Sequence, residues 1–253
     1  MTASADADAL PPAAPLRLEV AGREQITPRM TRVRLTGADL AGFRYVAGQD
    51  IMLAVPRGDD GVDTINRRYT IRRHHPDIGA VDLEAVLHGD GPGARWFSRV
   101  APGDQVDAVG PRGKVVASTT AAWHLFVADE AGLPAVAAML GALPASAGAI
   151  AVVEVADAGE EQPFDHPAGA TVSWVHRDGA DPGTPERLCA AVRSVVLPDG
   201  PGHVYLAAEF AVVNALRAEL EAGGFASDAI SSKAYWRRGT ANAPHGEPVR
   251  DLS

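Results

Sequence analysis

The feature that most narrows the folds open to this chain is a change of texture near Ser118. In residues 16–117, short segments alternate apolar and polar side chains and are punctuated by Gly, Pro and Asp. Leu16, Leu18 and Val20 alternate with charged neighbours. Thr31, Val33 and Leu35 alternate with Arg32 and Arg34, and Val81, Leu83, Ala85 and Leu87 with Asp82, Glu84, Val86 and His88. A period of two marks half-buried strands, and a series of them predicts a small antiparallel barrel. One helix interrupts it, ARWFSRV at residues 94–100, set between Gly-Pro-Gly and Pro102-Gly103-Asp104. Beyond Ser118 the apolar runs become continuous: WHLFVA (123–128), AIAVVEVA (149–156), TVSWV (171–175) and HVYLAA (203–208). They alternate with the helical stretches PAVAAMLGAL, PERLCAAVRSVV and FAVVNALRAELEA, the pattern of buried parallel strands with crossover helices. A last strand, DAISSKAYW, begins at Asp228. The expected class is β + α/β: a barrel domain over residues 16–118, an α/β domain with a parallel sheet over 119–239, and tails at 1–15 and 240–253.

Composition removes several classes of function. A net charge of −9 argues against nucleic-acid binding, which needs a basic face to neutralise phosphates. No apolar run is long enough to cross a bilayer, because Asp129, Glu130, Pro134 and Pro144 interrupt the most apolar region. The opening MTASADADALPPAAP lacks the basic and apolar regions of a signal peptide, so a flexible tail and a cytoplasmic protein are expected. The single cysteine, Cys189, excludes an internal disulfide and a four-thiolate iron-sulfur cluster from one chain. It sits in a helical pattern and reads as a small core residue. Redox chemistry therefore calls for a bound cofactor.

Against that acidic background, RRYTIRRHH at residues 67–75 concentrates four arginines and two histidines around one Tyr-Thr. Simple strand alternation puts Arg68, Thr70 and Arg72 on one face, with Tyr69 and Ile71 on the other. Guanidinium forks suit phosphate oxygens, and a threonine hydroxyl can donate to a heteroaromatic nitrogen. Alone, the stretch also fits an edge strand protected by charge. About twenty residues on, in VLHGDGPGARWF, a strand ends and a glycine loop feeds a helix. Backbone N–H groups there form an anion site, although Gly-Pro-Gly can also be only a turn. Together, strand and loop supply what a dinucleotide diphosphate requires. Arg67, Arg73, His74 and His75 are left over, either as a basic rim that attracts an anionic substrate or as a solvated strand end. No metal site is expected, since adjacent histidines on a strand diverge and no carboxylate or thiolate partner is evident.

In combination and in order, these motifs resemble the siderophore-interacting protein family. They are Arg68-Tyr69-Thr70-Ile71-Arg72, VLHGDGPGARW at 86–96, GPRG at 110–113, ADEAGLPA at 128–135, EVAD at 154–157 and KAYWRRG at 233–239. That family comprises FAD-dependent ferric-siderophore reductases related to ferredoxin reductases. The resemblance implies an FAD-binding barrel followed by a ferredoxin-reductase-like NAD(P)-binding domain. Arg68 would hold the FAD phosphate, with Arg72 beside it; Tyr69 would pack along the flavin and ribityl chain, and Thr70 would bond near the reactive nitrogen. For Tyr69 to join its neighbours, strand twist or a bulge must intervene. Val86, His88 and Gly89 would line the flavin, Gly91, Pro92, Gly93 and Ala94 would cradle the pyrophosphate, and Trp96 would pack near.

In the second domain ADEAGLPA replaces a Gly-x-Gly-x-x-Gly fingerprint, with Ala131-Gly132 where the family has Thr-Ala. Asp129 and Glu130 would line the hydride-transfer cleft, or serve only as helix caps. Glu154, ending the second parallel strand, can accept from ribose hydroxyls and repel a 2′-phosphate, which inclines the donor toward NADH over NADPH. Arg177 and Glu209 are further nucleotide-site candidates. Lys233, Tyr235, Trp236 and Arg237 form the terminal motif at the domain junction, with Lys233 and Arg237, like Arg73 and His75, available to a ferric chelate.

The implied reaction passes hydride from NADH or NADPH to flavin, then single electrons to Fe(III) held by a siderophore, whose hard oxygen donors hold Fe(II) less well. Thr70 and Lys233 would act nearest the chemistry. Open alternatives are a ferredoxin as electron donor, another acceptor, or a non-enzymatic siderophore binder.

Overall fold

A computed structural model describes residues 10–58 and 63–240. Most of the two expected tails lies outside them.

Six antiparallel strands close into a barrel in the order β1-β2-β5-β4-β3-β6. They are β1 (Ala14–Gln25), β2 (Met30–Thr36), β3 (Asp50–Pro56), β4 (Thr64–His75), β5 (Ala80–Val86) and β6 (Gln105–Arg112). Their inward residues, among them Leu18, Val33, Leu53, Ile71 and Leu83, are fully buried, which is the alternation of the sequence turned into a core. The helix between β5 and β6, α1 (Pro92–Arg99), starts two residues earlier than expected because Pro92 can open a helix whose first N–H needs no partner. Its Phe97 is fully buried in the barrel core.

Five parallel strands follow in the order β11-β10-β7-β8-β9. These are β7 (Trp123–Ala128), β8 (Gly148–Val155), β9 (Thr171–His176), β10 (Gly202–Glu209) and β11 (Ile230–Trp236). The helices α2 (Leu133–Ala142), α3 (Pro185–Arg193) and α4 (Phe210–Ala222) cover the sheet. Strand β11 starts at Ile230 because residues 227–229 form a 3-10 turn ahead of it. The expected boundary near Ser118 falls in the stretch between β6 and β7, where the Ser118 N–H donates to the Tyr205 hydroxyl at 2.7 Å. Among the described residues no helix is long and apolar enough to cross a membrane.

Helix α2 approaches the sheet closely. A side chain at Gly132 would stand 1.8 Å from the Ala207 carbonyl oxygen, so the glycine that replaces a family residue is required by backbone packing. Several bonds tie the halves together, among them the following. Buried Thr27 donates to Glu160 at 2.5 Å, Lys233 donates to Asp50 at 2.6 Å, and the hydroxyls of Thr70 and Tyr235 lie 3.2 Å apart.

Candidate functional site

A cavity of about 450 Å³ opens between the barrel and the ends of α2 and β11. Strand β4 contributes Arg67, Arg68, Tyr69 and Thr70, and β5 contributes Glu84, Ala85 and Val86. The loop into α1 adds His88, Gly89, Gly91, Pro92, Gly93 and Ala94. From the second half come Ala131, Pro134, Tyr235, Trp236 and Arg237. The expected flavin and pyrophosphate residues are thus brought to one place, with the exceptions described below.

The cavity suits a flat ring joined to a diphosphate. Gly89 has a φ of +57°, and a side chain at Gly89 or Gly91 would point into open space. These glycines therefore leave a cradle that a Cβ would fill, beside a helix start with no side-chain cap. Arg67 and Arg68 add positive charge along the same wall. Planar side chains line the remainder. Tyr69 packs on Phe97 with ring centres 4.6 Å apart, and His88 faces Trp236 at 6.1 Å. Burial raises the Tyr69 phenol well above its ordinary pKa, so it stays protonated. Trp96 stands edge-on to Phe97 and is not among the residues that line the cavity.

Arg68 is held by Asp50, which the sequence did not single out. The Asp50 carboxylate accepts from Arg68 Nε at 2.9 Å and Nη2 at 2.7 Å, and from Lys233 Nζ at 2.6 Å. Asp50 pairs with Thr70 across the β3–β4 ladder, a long-range neighbour that no local motif announces. Lys233 corrects an expectation. Its ammonium is buried against Asp50 and 4.8 Å from the Tyr235 ring centre, not presented to an incoming substrate.

Arg72 is a second correction. It does not line the flavin cavity but a separate cleft two residues farther along β4, and the β4–β5 register shift between Ile71 and Arg73 brings Arg73 to the same cleft. Arg73 and His75 line that cleft as well, paired with Asp165 and Asp82. Arg237 lies over the Phe210 ring, 4.0 Å from its centre, at the edge of the main cavity.

The acidic candidates of the second half turn inward. Asp129 accepts from the N–H groups of Ala131 at 2.9 Å and Gly132 at 3.2 Å, from Glu209 N–H at 2.9 Å and from Trp236 Nε1 at 2.7 Å. It ties α2, β10 and β11 to one carboxylate. Burial pushes it up to about 6, against those donors. Glu209 caps α4, accepting from the N–H groups of Ala211 and Val212. Glu130, Glu154 and Arg177 form one buried cluster. Arg177 Nη2 donates to both Glu130 oxygens at 2.9 and 2.8 Å, and its Nη1 lies 3.5 Å from Glu154. Burial raises Glu154 to about 7, with Arg177 opposing. The expectation that Glu154 faces a ribose and Arg177 a nucleotide is therefore corrected: the two face each other at the ends of adjacent strands, and the residue that inclined the donor toward NADH is not presented to a ligand.

Comparison with known proteins agrees with this layout. Residues 54–115 match the siderophore-interacting FAD-binding domain, and residues 121–239 match the siderophore-interacting protein family. The ferric vibriobactin reductase ViuB of Vibrio cholerae serotype O1 is 28% identical over 247 residues, covering 89% of this chain and 90% of that protein. An NADPH-dependent ferric-chelate reductase of Escherichia coli is 26% identical over 157 residues, 61% of this chain and 59% of the relative. The crystal structure of a siderophore utilization protein from T. fusca superposes with a TM-score of 0.86 at 35% identity, covering 94% of this chain and 98% of that one. The chain accordingly belongs to the siderophore-interacting proteins, a family of flavin-dependent oxidoreductases whose barrel is an FAD-binding domain.

Proposed function

We propose that the protein is a ferric-siderophore reductase that takes electrons from a reduced nicotinamide nucleotide. The observation that carries this reading is the cavity itself. It joins a glycine cradle and two arginines to a hydroxyl-bearing, aromatic-lined chamber at the junction of the two halves. Bound FAD supplies a ring that takes two electrons as hydride and gives them up singly. The chain's own residues bind and orient it. Arg68, held by Asp50, presents charge to the diphosphate. Gly91 and Gly93 let the backbone come close, and Tyr69 backs the ring. Thr70, whose hydroxyl lies 3.2 Å from that of Tyr235, would exchange that contact for one to the cofactor. No general acid or base is needed, because the acceptor is a metal ion reduced in its chelate.

Arg237 at the cavity edge, with Arg73 and His75 in the neighbouring cleft, attracts an anionic ferric chelate. Lys233, sealed against Asp50, serves as a positioning residue. The 28% identical relative is a ferric vibriobactin reductase and a more distant one an NADPH-dependent ferric-chelate reductase, which supports both acceptor class and donor class.

The experiment is anaerobic. Purified holoprotein is mixed with NADPH, NADH or a reduced ferredoxin, and the loss of flavin colour is followed. The reduced protein is then offered ferric chelates and quinones. The reading expects bleaching by a nicotinamide nucleotide and recolouring fastest with ferric chelates. Recolouring by quinones alone would assign another acceptor, and flavin that no donor bleaches would leave a binding protein.

Arg68→Ala should weaken FAD binding about tenfold, the loss of a charge-assisted phosphate contact, while Asp50 keeps Lys233 as partner and the fold stands. Fluorescence titration with FAD checks this; an unchanged affinity removes Arg68 from the site.

A further inference from the structure

Arg72 is left outside the flavin cavity, and its surroundings are unfinished. Its guanidinium carries five N–H donors yet makes no hydrogen bond to any described residue, although the residue is only 9% exposed. Its nearest acid is Glu84, with Arg72 Nε in an ion pair 3.5 Å from Glu84 Oε2, and neither of those buried atoms makes a hydrogen bond. Glu84 is committed elsewhere: its other oxygen accepts from Arg32 Nε at 2.9 Å and Nη2 at 2.5 Å. Burial lowers the Arg72 pKa most; Glu84 and Asp165 attract its charge, while Arg73 and Arg32 push against it. A buried cation so poorly matched by its own chain is suited to an acceptor from outside.

Space for one exists. Arg72 lines a cleft of about 390 Å³ with Arg34, Arg73 and His75, and Phe164 and Asp165 of the second half form its far side. The rim cations have partners: Arg34 holds Asp82 at 2.7 and 2.9 Å, and Arg73, half exposed, holds Asp165. Arg72 has no such hydrogen bond. The cleft neighbours the flavin cavity along β4: Glu84, the acid nearest Arg72, lines that cavity, as does Thr70, two residues before Arg72.

We propose that this cleft is an oxyanion site in which Arg72 donates a forked pair of hydrogen bonds to a carboxylate on the periphery of the ferric chelate, with Arg73 reaching it from the rim. The carboxylate source rests on the reductase reading above; the oxyanion site itself does not. Inorganic phosphate has the same chemistry and is the competing source.

The test uses FAD-loaded protein and calorimetric titration with ferric citrate, iron-free citrate and inorganic phosphate. The wild type should bind both citrates with similar affinity and phosphate more weakly. Arg72→Gln should weaken both citrates at least tenfold and raise the KM for ferric citrate by a like factor, with one FAD per chain retained. Arg73→Glu, a half-exposed position, should do the same and decides the matter if Arg72→Gln does not fold. Equal affinity and equal KM in wild type and variants overturn the site while leaving ferric-chelate reduction intact. Arg72-dependent citrate binding in a protein that never passes electrons to a ferric chelate keeps the site and removes the reductase reading. Phosphate binding more tightly than either citrate assigns the cleft to free phosphate and overturns the carboxylate assignment.

Discussion

Arg177→Ala is expected to remove about 3–5 kcal/mol of stability, the usual cost of stripping the partner from buried charge. The residue is 4% exposed, and Glu130 and Glu154 both depend on it. Glu130 would retain the Ala156 N–H, which donates to it at 2.7 Å, while Glu154 would be left with no cation in reach among its hydrogen bonds. The pH dependence carries a definite sign. Glu154 has a folded pKa of about 7 against an ordinary 4.5, so the folded chain holds the extra proton. Its charge therefore costs stability above about pH 7, and that cost fades as pH falls toward the ordinary value. Without Arg177 the charged form is worse still. The deficit of Arg177→Ala should be larger at about pH 8 than at about pH 5.5, where Glu154 takes up a proton. Urea denaturation at the two pH values measures it; a deficit below about 1 kcal/mol, or one that grows in acid, contradicts the cluster.

Gly93→Ala is expected to weaken FAD binding about a hundredfold while leaving the fold largely intact. A Cβ at Gly93 would stand 2.0 Å from the Tyr69 hydroxyl oxygen and 3.3 Å from Cζ of the same ring. The ring packs against Phe97, which is fully buried, so Tyr69 is displaced toward the cavity it lines. That motion fills flavin space and lifts the helix start away from the diphosphate. Circular dichroism should stay close to wild type while the purified protein loses its yellow colour. Full flavin content in the variant would show that Tyr69 and Gly93 do not meet at the cofactor. Restoring room at the ring tip tests the cause: Tyr69→Phe in the Gly93→Ala background should recover part of the lost affinity.

How far the sequence could be read follows from the range of each signal. The barrel strands and the parallel strands each carry their own period, so the architecture and the order of its halves could be read from segments of six to twelve residues. The glycine loop and Arg68-Tyr69-Thr70 are local motifs, and the structure gathers them at one cavity. Arg72 lies opposite buried Ile71 as alternation expects, but it stands two residues beyond Thr70 on β4 and lines the next cleft, a distinction that a period of two does not carry. Asp50 was missed because its meaning comes from pairing with a strand whose motif lies twenty residues later. Glu130, Glu154 and Arg177 sit just past or at the ends of β7, β8 and β9; read singly, each looks like a ligand contact. Only the parallel stacking of those strands shows that they answer one another. In the sequence Lys233 looks available to a substrate for the same reason, since its acid belongs to the other half of the chain.

The most direct measurement of the central claim is a crystal structure of this protein grown with FAD. The account predicts the isoalloxazine ring beside Tyr69 and Thr70, with Tyr235 moved from the Thr70 hydroxyl and the diphosphate at Gly91, Gly93 and Arg68. Tyr235 still at the Thr70 hydroxyl and no flavin in the cavity after saturation, or FAD bound away from β4, would contradict it.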